Sequence, residues 1–328
     1  MQFDHLRRRE FALVGGAAAA WPVSARAQQQ PARIGFLGST SAARFGSRIE
    51  AFRSGLRDLG YVEGKTIVIA FRWADEKYDQ LPALAAELVR ENVDVIVTHG
   101  TPGTRAAKHA TAAIPIVVLY IGDAVAAGVV ASLRQPGGNV TGSSYFLPQL
   151  MSKRLELLKE AMPHITKAAV LVNPDNPFFG LTLPALETAG SSLKIGLQRF
   201  DAHGPSDFEP AFLAMAKGGV DAAVIQEDAI FLSSARAIAD LAARQSLPLA
   251  GSSEMAEAGG IIGYGADQLE MCRRAAVFVD KVLKGINPVD LPVEQADKFE
   301  TVLNLRAAKT LGVTIPTSVL LRADRVIE

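Results

Sequence analysis

The sequence predicts an α/β protein of two doubly wound, Rossmann-like lobes joined by a hinge of several chain crossings. Three observations predict it. Short apolar strands alternate with segments of helical period four times before residue 135; the rhythm breaks at Pro136-Gly137-Gly138-Asn139 and then restarts; and a closing segment follows the second series. Near-continuous apolar strands imply parallel sheets covered on both faces, because a half-exposed strand would alternate polar and apolar residues.

Residues 33–37 read as a strand ending in Gly38-Ser39-Thr40, and Ile49, Phe52, Leu56 and Leu59 follow at helical spacing until Gly60 stops the helix. A strand over 66–71 leads to a helix around Leu81, Leu84 and Leu88. The strand over 93–98 leads to a helix from about residue 103, and 115–120 to a helix over 124–133. The second series opens with a helix over 148–162. Strands over 168–172, 196–200, 222–226 and 248–250 follow, with helices from Phe178, from a capping box at Ser206-x-x-Glu209, and over 231–245. A long helix over 267–285 carries Met271, Ala275, Phe278 and Leu283, and 299–303 reads as one more strand. The lobes are therefore expected at 31–142, with 266–286 returning to it, and at 143–265, with 287–328 closing across both. Multiple crossings of this kind make a hinge.

The leader predicts export. Arg7, Arg8 and Arg9 precede ten uncharged, mostly apolar residues (11–20), and Ala25-Arg26-Ala27 fits an A-x-A cleavage site, so residues 1–27 read as a signal peptide. Ten helical residues span about half of a 30 Å hydrocarbon core, too little for an anchor. Arg8-Arg9-Glu10-Phe11 resembles the twin-arginine core, although Arg7 stands where that pattern prefers Ser or Thr. The expected location is periplasmic.

Of 34 basic and 34 acidic residues, the leader holds Arg7, Arg8, Arg9, Arg26, Asp4 and Glu10, so the remainder carries a net charge of −2 and lacks the basic surplus that nucleic acid requires. The single cysteine, Cys272, permits no internal disulfide and reads as a small buried helix residue. No catalytic machinery is evident: H-E-x-x-H, G-x-x-x-x-G-K-[ST] and G-x-S-x-G are absent, and the five histidines lack metal-ligand spacing. Gly35-x-x-Gly38 falls short of a dinucleotide fingerprint, so no cofactor is expected. His99, just past a strand, reads as a hydrogen-bonded histidine rather than a base.

Small and hydroxylic residues stand instead at the expected carboxyl ends of the strands: Ser39, Thr40 and Ser41; Gly100, Thr101 and Thr104; Gly122 and Asp123. Each one alone suits a helix cap. Together they suit an anionic ligand group, because ligands of open α/β sheets bind outside those ends, where helix N-termini offer free N–H donors.

Over nearly all of its length after the leader, the chain resembles the periplasmic substrate-binding proteins of ABC transporters, in the type I two-lobe fold, and among them the subgroup that includes aromatic amino-acid binders. The resemblance lies in Arg33-Ile-Gly-Phe-Leu-Gly38, Phe52-Arg-x-Gly-Leu-x-x-Leu-Gly-Tyr61, Gly100-Thr-Pro102, Gly122-Asp123 with Gly128, and Pro136-Gly-Gly-Asn-Val-Thr-Gly142. It continues through Asn173-Pro174, Glu257-Ala-Gly-Gly260, Tyr264-Gly265, Leu291-Pro-Val-Glu-Gln295 and Leu311-Gly-x-x-x-Pro316. Ala124 replaces a frequent Pro, and Ile225-Gln-Glu-Asp228 replaces a Leu-Pro-x-Asp loop.

The resemblance implies ligand contacts at Ser39, Thr40, Thr101 and Asp123 in the first lobe and at Asn173, Asp175, Asp228 and Ser252 in the second, with Tyr264 near the crossover. It implies an amino acid or related carboxylate as ligand, with Asp123, Asp228 or Glu227 for an ammonium, and a membrane permease as partner. A sensor delivering ligand to a receptor kinase is the alternative. A periplasmic enzyme is disfavoured by the lack of a nucleophile-base pair, and a transcription regulator by a leader where a helix-turn-helix would stand.

Overall fold

The computed structural model describes residues 30–328; the expected signal peptide, 1–27, lies outside the described residues. Strands β1 (Ala32–Gly38), β2 (Ile67–Trp73), β3 (Val95–Thr98), β4 (Ile116–Ile121) and β5 (Val140–Ser144) form a first parallel sheet in the order β5-β4-β3-β1-β2. The chain then crosses to a second sheet of β6 (Lys167–Val172), β7 (Gly196–Asp201), β8 (Ala222–Ile225), β9 (Leu249–Gly251) and β10 (Ile262–Ala266), ordered β10-β9-β8-β6-β7. The two orders are the same. Each lobe is one doubly wound unit, as the restarted sequence rhythm predicts.

The closing segment stitches the lobes together. Helix Gln268–Leu283 packs against helix Gly46–Asp58 of the first lobe; β11 (Glu294–Gln295) then adds to β5, and β12 (Phe299–Asn304) pairs antiparallel with β10 before β13 (Arg325–Ile327) ends the second sheet. The chain thus crosses between sheets after β5, after β10 and after β11. The lobes are those of a type I periplasmic binding fold.

The apolar strands are buried as read: Val95, Ile96 and Val97 of β3 and Val117, Leu119 and Ile121 of β4 are buried, under helices whose apolar stripes face them. Cys272 lies fully buried on its helix, and burial pushes its thiol up to about 12, which leaves it unreactive. Among the described residues no helix is long and apolar enough to cross a membrane.

Three local expectations are corrected. Residues 124–133 form turns, not a helix. Asp123 Oδ1 accepts the N–H groups of Val125 and Ala126, Gly128 takes φ +70°, and Arg105 and Lys108 satisfy the carbonyls of 127–129 that a helix would use internally. The helix over 231–245 is two, Ala229–Ser233 and Ala235–Arg244, the first capped by Asp228. At helix Pro205–Lys217 the Ser206 hydroxyl bonds Asp207 rather than the backbone, and Asp207 accepts the His203 N–H.

Candidate functional site

In both sheets the strand order reverses, between β1 and β3 in the first and between β6 and β8 in the second, and a crevice opens outside those strand ends. The two crevices face each other. Between them lies a narrow cavity of about 30 Å³, partly open to solvent. From the first lobe, Ser39 follows β1, His99, Gly100 and Thr101 follow β3, and Tyr120 and Gly122 close β4. From the second, Asn176 and Phe178 follow β6, and Glu227 and Asp228 follow β8.

The first-lobe wall is a set of uncharged donors. The Ser39 N–H donates to His99 Nε2 at 3.2 Å, and the imidazole lies stacked on Phe45 with ring centroids 4.1 Å apart. Burial, reinforced by the nearby Arg48 guanidinium, lowers the His99 imidazole to about 3, so the ring is neutral. With Nε2 accepting, its proton sits on Nδ1. Among the described residues, His99 Nδ1, Ser39 Oγ and Thr40 Oγ1 are buried without a hydrogen-bond partner. Helix Gly100–Ala110 starts at the same place, and its N-cap, His99, gives it no side-chain cap bond.

The second-lobe wall is acidic. Asp228 Oδ1 caps helix Ala229–Ser233 through the N–H groups of Ile230 and Phe231, at 2.9 and 3.4 Å. Oδ2 accepts from Tyr78 Oη at 2.9 Å, Asn176 Nδ2 at 3.0 Å and Asn173 Nδ2 at 3.4 Å. Every one of these donors is uncharged. Burial raises the Asp228 carboxyl, and the bonds from Asn176, Tyr78 and Asn173 oppose it. Its neighbour Glu227 is different: fully buried Arg154 pairs with it, and Gln268 Nε2 donates to it at 2.7 Å. Among the described residues no Lys or Arg lines the cavity. Asp228 is therefore a buried carboxylate short of a cation.

The lobes are closed on one another. Tyr78 reaches Asp228 across the cleft; Arg44 Nη1 donates to the Ser233 carbonyl at 2.8 Å; and Arg48 Nη2 donates to Glu254 at 2.6 Å.

Of the residues singled out from sequence, Ser39, Thr101 and Asp228 line the cavity, Asn173 supports Asp228, and Thr40 is buried beside Ser39. The others lie apart from it. Asp123 caps its own turn and faces a different cavity with Phe146 and Gln149. Asp175 is exposed and bonds His203 Nδ1 at 2.9 Å. Ser252 is buried at the start of helix Ser253–Ala258 with its hydroxyl unpartnered among the described residues. Tyr264 stacks on Phe299 and faces a third cavity with Pro148 and Lys153. Aromatic cavity walls escaped the sequence reading. Tyr120 and Tyr145 stand at the ends of β4 and β5, where a search of strand ends for aromatic as well as hydroxylic residues finds them. Tyr78 follows the edge strand β2 through a loop and gives no such signal.

Comparison with known proteins agrees with this geometry. The family model described as ABC transporter substrate binding protein matches residues 44–327. The chain is 28% identical over 265 residues to the tyrosine-binding protein of Clostridioides difficile (strain R20291), covering 80% of this chain and 76% of that one. Among solved structures, a conserved domain protein from Vibrio cholerae O1 biovar eltor is similar at TM-score 0.85 and 29% identity. An ABC domain from Streptococcus pneumonia in complex with L-Trp is similar at TM-score 0.83 and 26% identity; each match covers 90% of this chain and 100% of the other.

Proposed function

We propose that this chain, which belongs to the ABC transporter substrate binding protein family, captures an aromatic amino acid as its zwitterion between the two lobes and hands it to a membrane permease. The observation that carries the reading is the buried Asp228 carboxylate, which faces the cavity with only neutral partners. A ligand ammonium supplies the missing charge. Hydroxyl donors and the start of helix Gly100–Ala110 on the opposite wall suit a carboxylate, and Tyr78, Tyr120, Tyr145 and Phe178 offer faces and edges for a ring. The names of the tyrosine-binding relative and of the L-Trp complex support the same class.

On this reading the lobes are 31–142 with 266–286, and 143–265, with 287–328 spanning both, and residues 1–27 direct export to the periplasm before removal. The ligand docks on one open lobe, and closure about the hinge completes the bonds of the other and excludes water. No bond is made or broken.

A thermal-shift screen of purified, ligand-stripped protein against amino acids, sugars and nucleosides tests the class. A ligand at 100 times its Kd adds about 2.7 kcal/mol to folding stability, a rise of several degrees in Tm. Aromatic amino acids are expected to give the largest rise. A larger rise with a sugar or nucleoside, or none with any amino acid, would overturn the reading.

A further inference from the structure

We propose that His99 is a ligand-positioning residue whose Nδ1–H donates to the carboxylate of the bound amino acid, so that the anionic end of the ligand is held entirely by uncharged donors. This rests on the cleft reading above and adds to it the way in which the anion is recognised.

The geometry assigns the proton. The Ser39 N–H occupies Nε2, so a neutral ring carries its hydrogen on Nδ1, which is buried and has no partner among the described residues, on a side chain that lines the cleft. A buried N–H left unpaired is unfavourable, and a ligand acceptor removes that cost. Ser39 Oγ, equally buried and unpartnered, lies at the start of the helix that His99 caps: a Cβ built on Gly103, in the first turn of helix Gly100–Ala110, would lie 3.5 Å from that oxygen. Imidazole, hydroxyl and helix start therefore converge.

The nearest cation is committed elsewhere. Arg48 spends Nε on Gln268 and Nη2 on Glu254, and Arg105 binds the Ala127 carbonyl. The titratable and charged groups around the ring and its cavity are Arg48 from helix Gly46–Asp58, Tyr120 from β4, Tyr145 from the end of β5, Tyr78 from the turn after β2, and Glu227 and Asp228 on the facing lobe. Burial and Arg48 hold the imidazole at about 3, far below its ordinary value. The carboxylate site then keeps the same charge from pH 5 to 8, an interval in which an ordinary histidine with pKa about 6.5 gains its proton.

The test is a long-range proton–nitrogen spectrum of protein labelled with ¹⁵N-histidine, recorded from pH 5 to 8 alone, with L-tyrosine, and with tyramine, which lacks the carboxylate. Expected is a neutral, Nδ1-protonated ring at every pH, with the Nδ1 proton moved downfield by tyrosine and not by tyramine. An Nε2-protonated ring, a titration near 6.5, or a Nδ1 signal unmoved by bound tyrosine would overturn the proposal. If neither L-tyrosine nor L-tryptophan binds, the cleft reading falls and the proposal with it; the ligand-free spectrum, which reports the tautomer independently, distinguishes that outcome. In parallel, His99→Asn, which keeps a donor near the Nδ1 position, is expected to hold the Kd for tyrosine within about 3-fold, whereas His99→Phe weakens it about 10- to 100-fold. Equal losses in the two folded variants would count against it.

Discussion

At the scale of single residues, the cleft's asymmetry of charge makes separate predictions for stability and binding at Asp228. Asp228→Asn keeps an N-cap side chain for helix Ala229–Ser233 and removes a buried carboxylate whose ionisation burial disfavours. Because the new amide NH2 faces the Asn173 and Asn176 donors, that relief is partly offset and the ligand-free variant is expected to melt within a few degrees of the parent at pH 7, while its Kd for an aromatic amino acid rises at least 30-fold, the loss of about 2 kcal/mol or more from a charge-assisted bond. Parallel calorimetry and melting curves check both. His99 gives a pH test. Its folded-state value, about 3, lies below the unfolded value near 6.5, so its contribution is complete above about pH 6.5 and is lost as pH falls toward 3. Between pH 6 and 4 the parent should lose up to about 1.4 kcal/mol per pH unit more than His99→Phe, read by urea unfolding at each pH. Ser39 and Thr101 were legible in the sequence because strand-end position alone brings them to the crevice, and Asp228 through the family resemblance. Nothing in their spacing discloses that Asp123 turns its carboxylate back on its own loop, or that Tyr78, 150 residues from Asp228, donates to it across the cleft.

At the scale of elements, the returning helix is held by close packing. A Cβ on Gly55 would lie 2.2 Å from the Arg273 carbonyl oxygen and 2.9 Å from Ala276 Cβ, so helix Gly46–Asp58 approaches helix Gln268–Leu283 as only glycine allows. Gly55→Ala is expected to cost about 1–3 kcal/mol by forcing the helices apart. Gly46→Ala, where nothing lies within 4 Å, should leave stability level or raise it by up to about 1 kcal/mol. Chemical denaturation of the pair checks the contrast. Apolar runs made β1, β3, β4, β6 and β8 readable. Strand β10 was not readable, because Gly263 and Gly265 interrupt its apolar pattern; the helix Ser253–Ala258 lies so near that a Cβ on Gly263 would come within 2.8 Å of Ser252 O. Segment 124–133 had helical composition, but the bonds from Asp123, Arg105 and Lys108 hold it as turns.

At the scale of the whole molecule, the repeated strand order, the three crossings and the polar bridges between the lobes describe a clamp. Bridges formed only on closure act on ligand escape. Tyr78→Phe is expected to raise the dissociation rate about 2- to 10-fold with little change in association rate, read by stopped-flow fluorescence of Trp73, which packs on Phe36 and Phe45 beside the cleft. The two-lobe architecture was legible because the sequence rhythm repeats, whereas the bridges depend on how far the lobes close, which no local pattern encodes. The central claim is that the cleft recognises both charged ends of an aromatic amino acid. Calorimetric titration of ligand-stripped protein with L-tyrosine and L-tryptophan, with tyramine, which lacks the carboxylate, and with 3-(4-hydroxyphenyl)propionate, which lacks the ammonium, tests it most directly. The account predicts binding of at least one amino acid and a loss of at least 10-fold in affinity for each truncated analogue. Equal affinity for an analogue, or no heat with either amino acid, would contradict it.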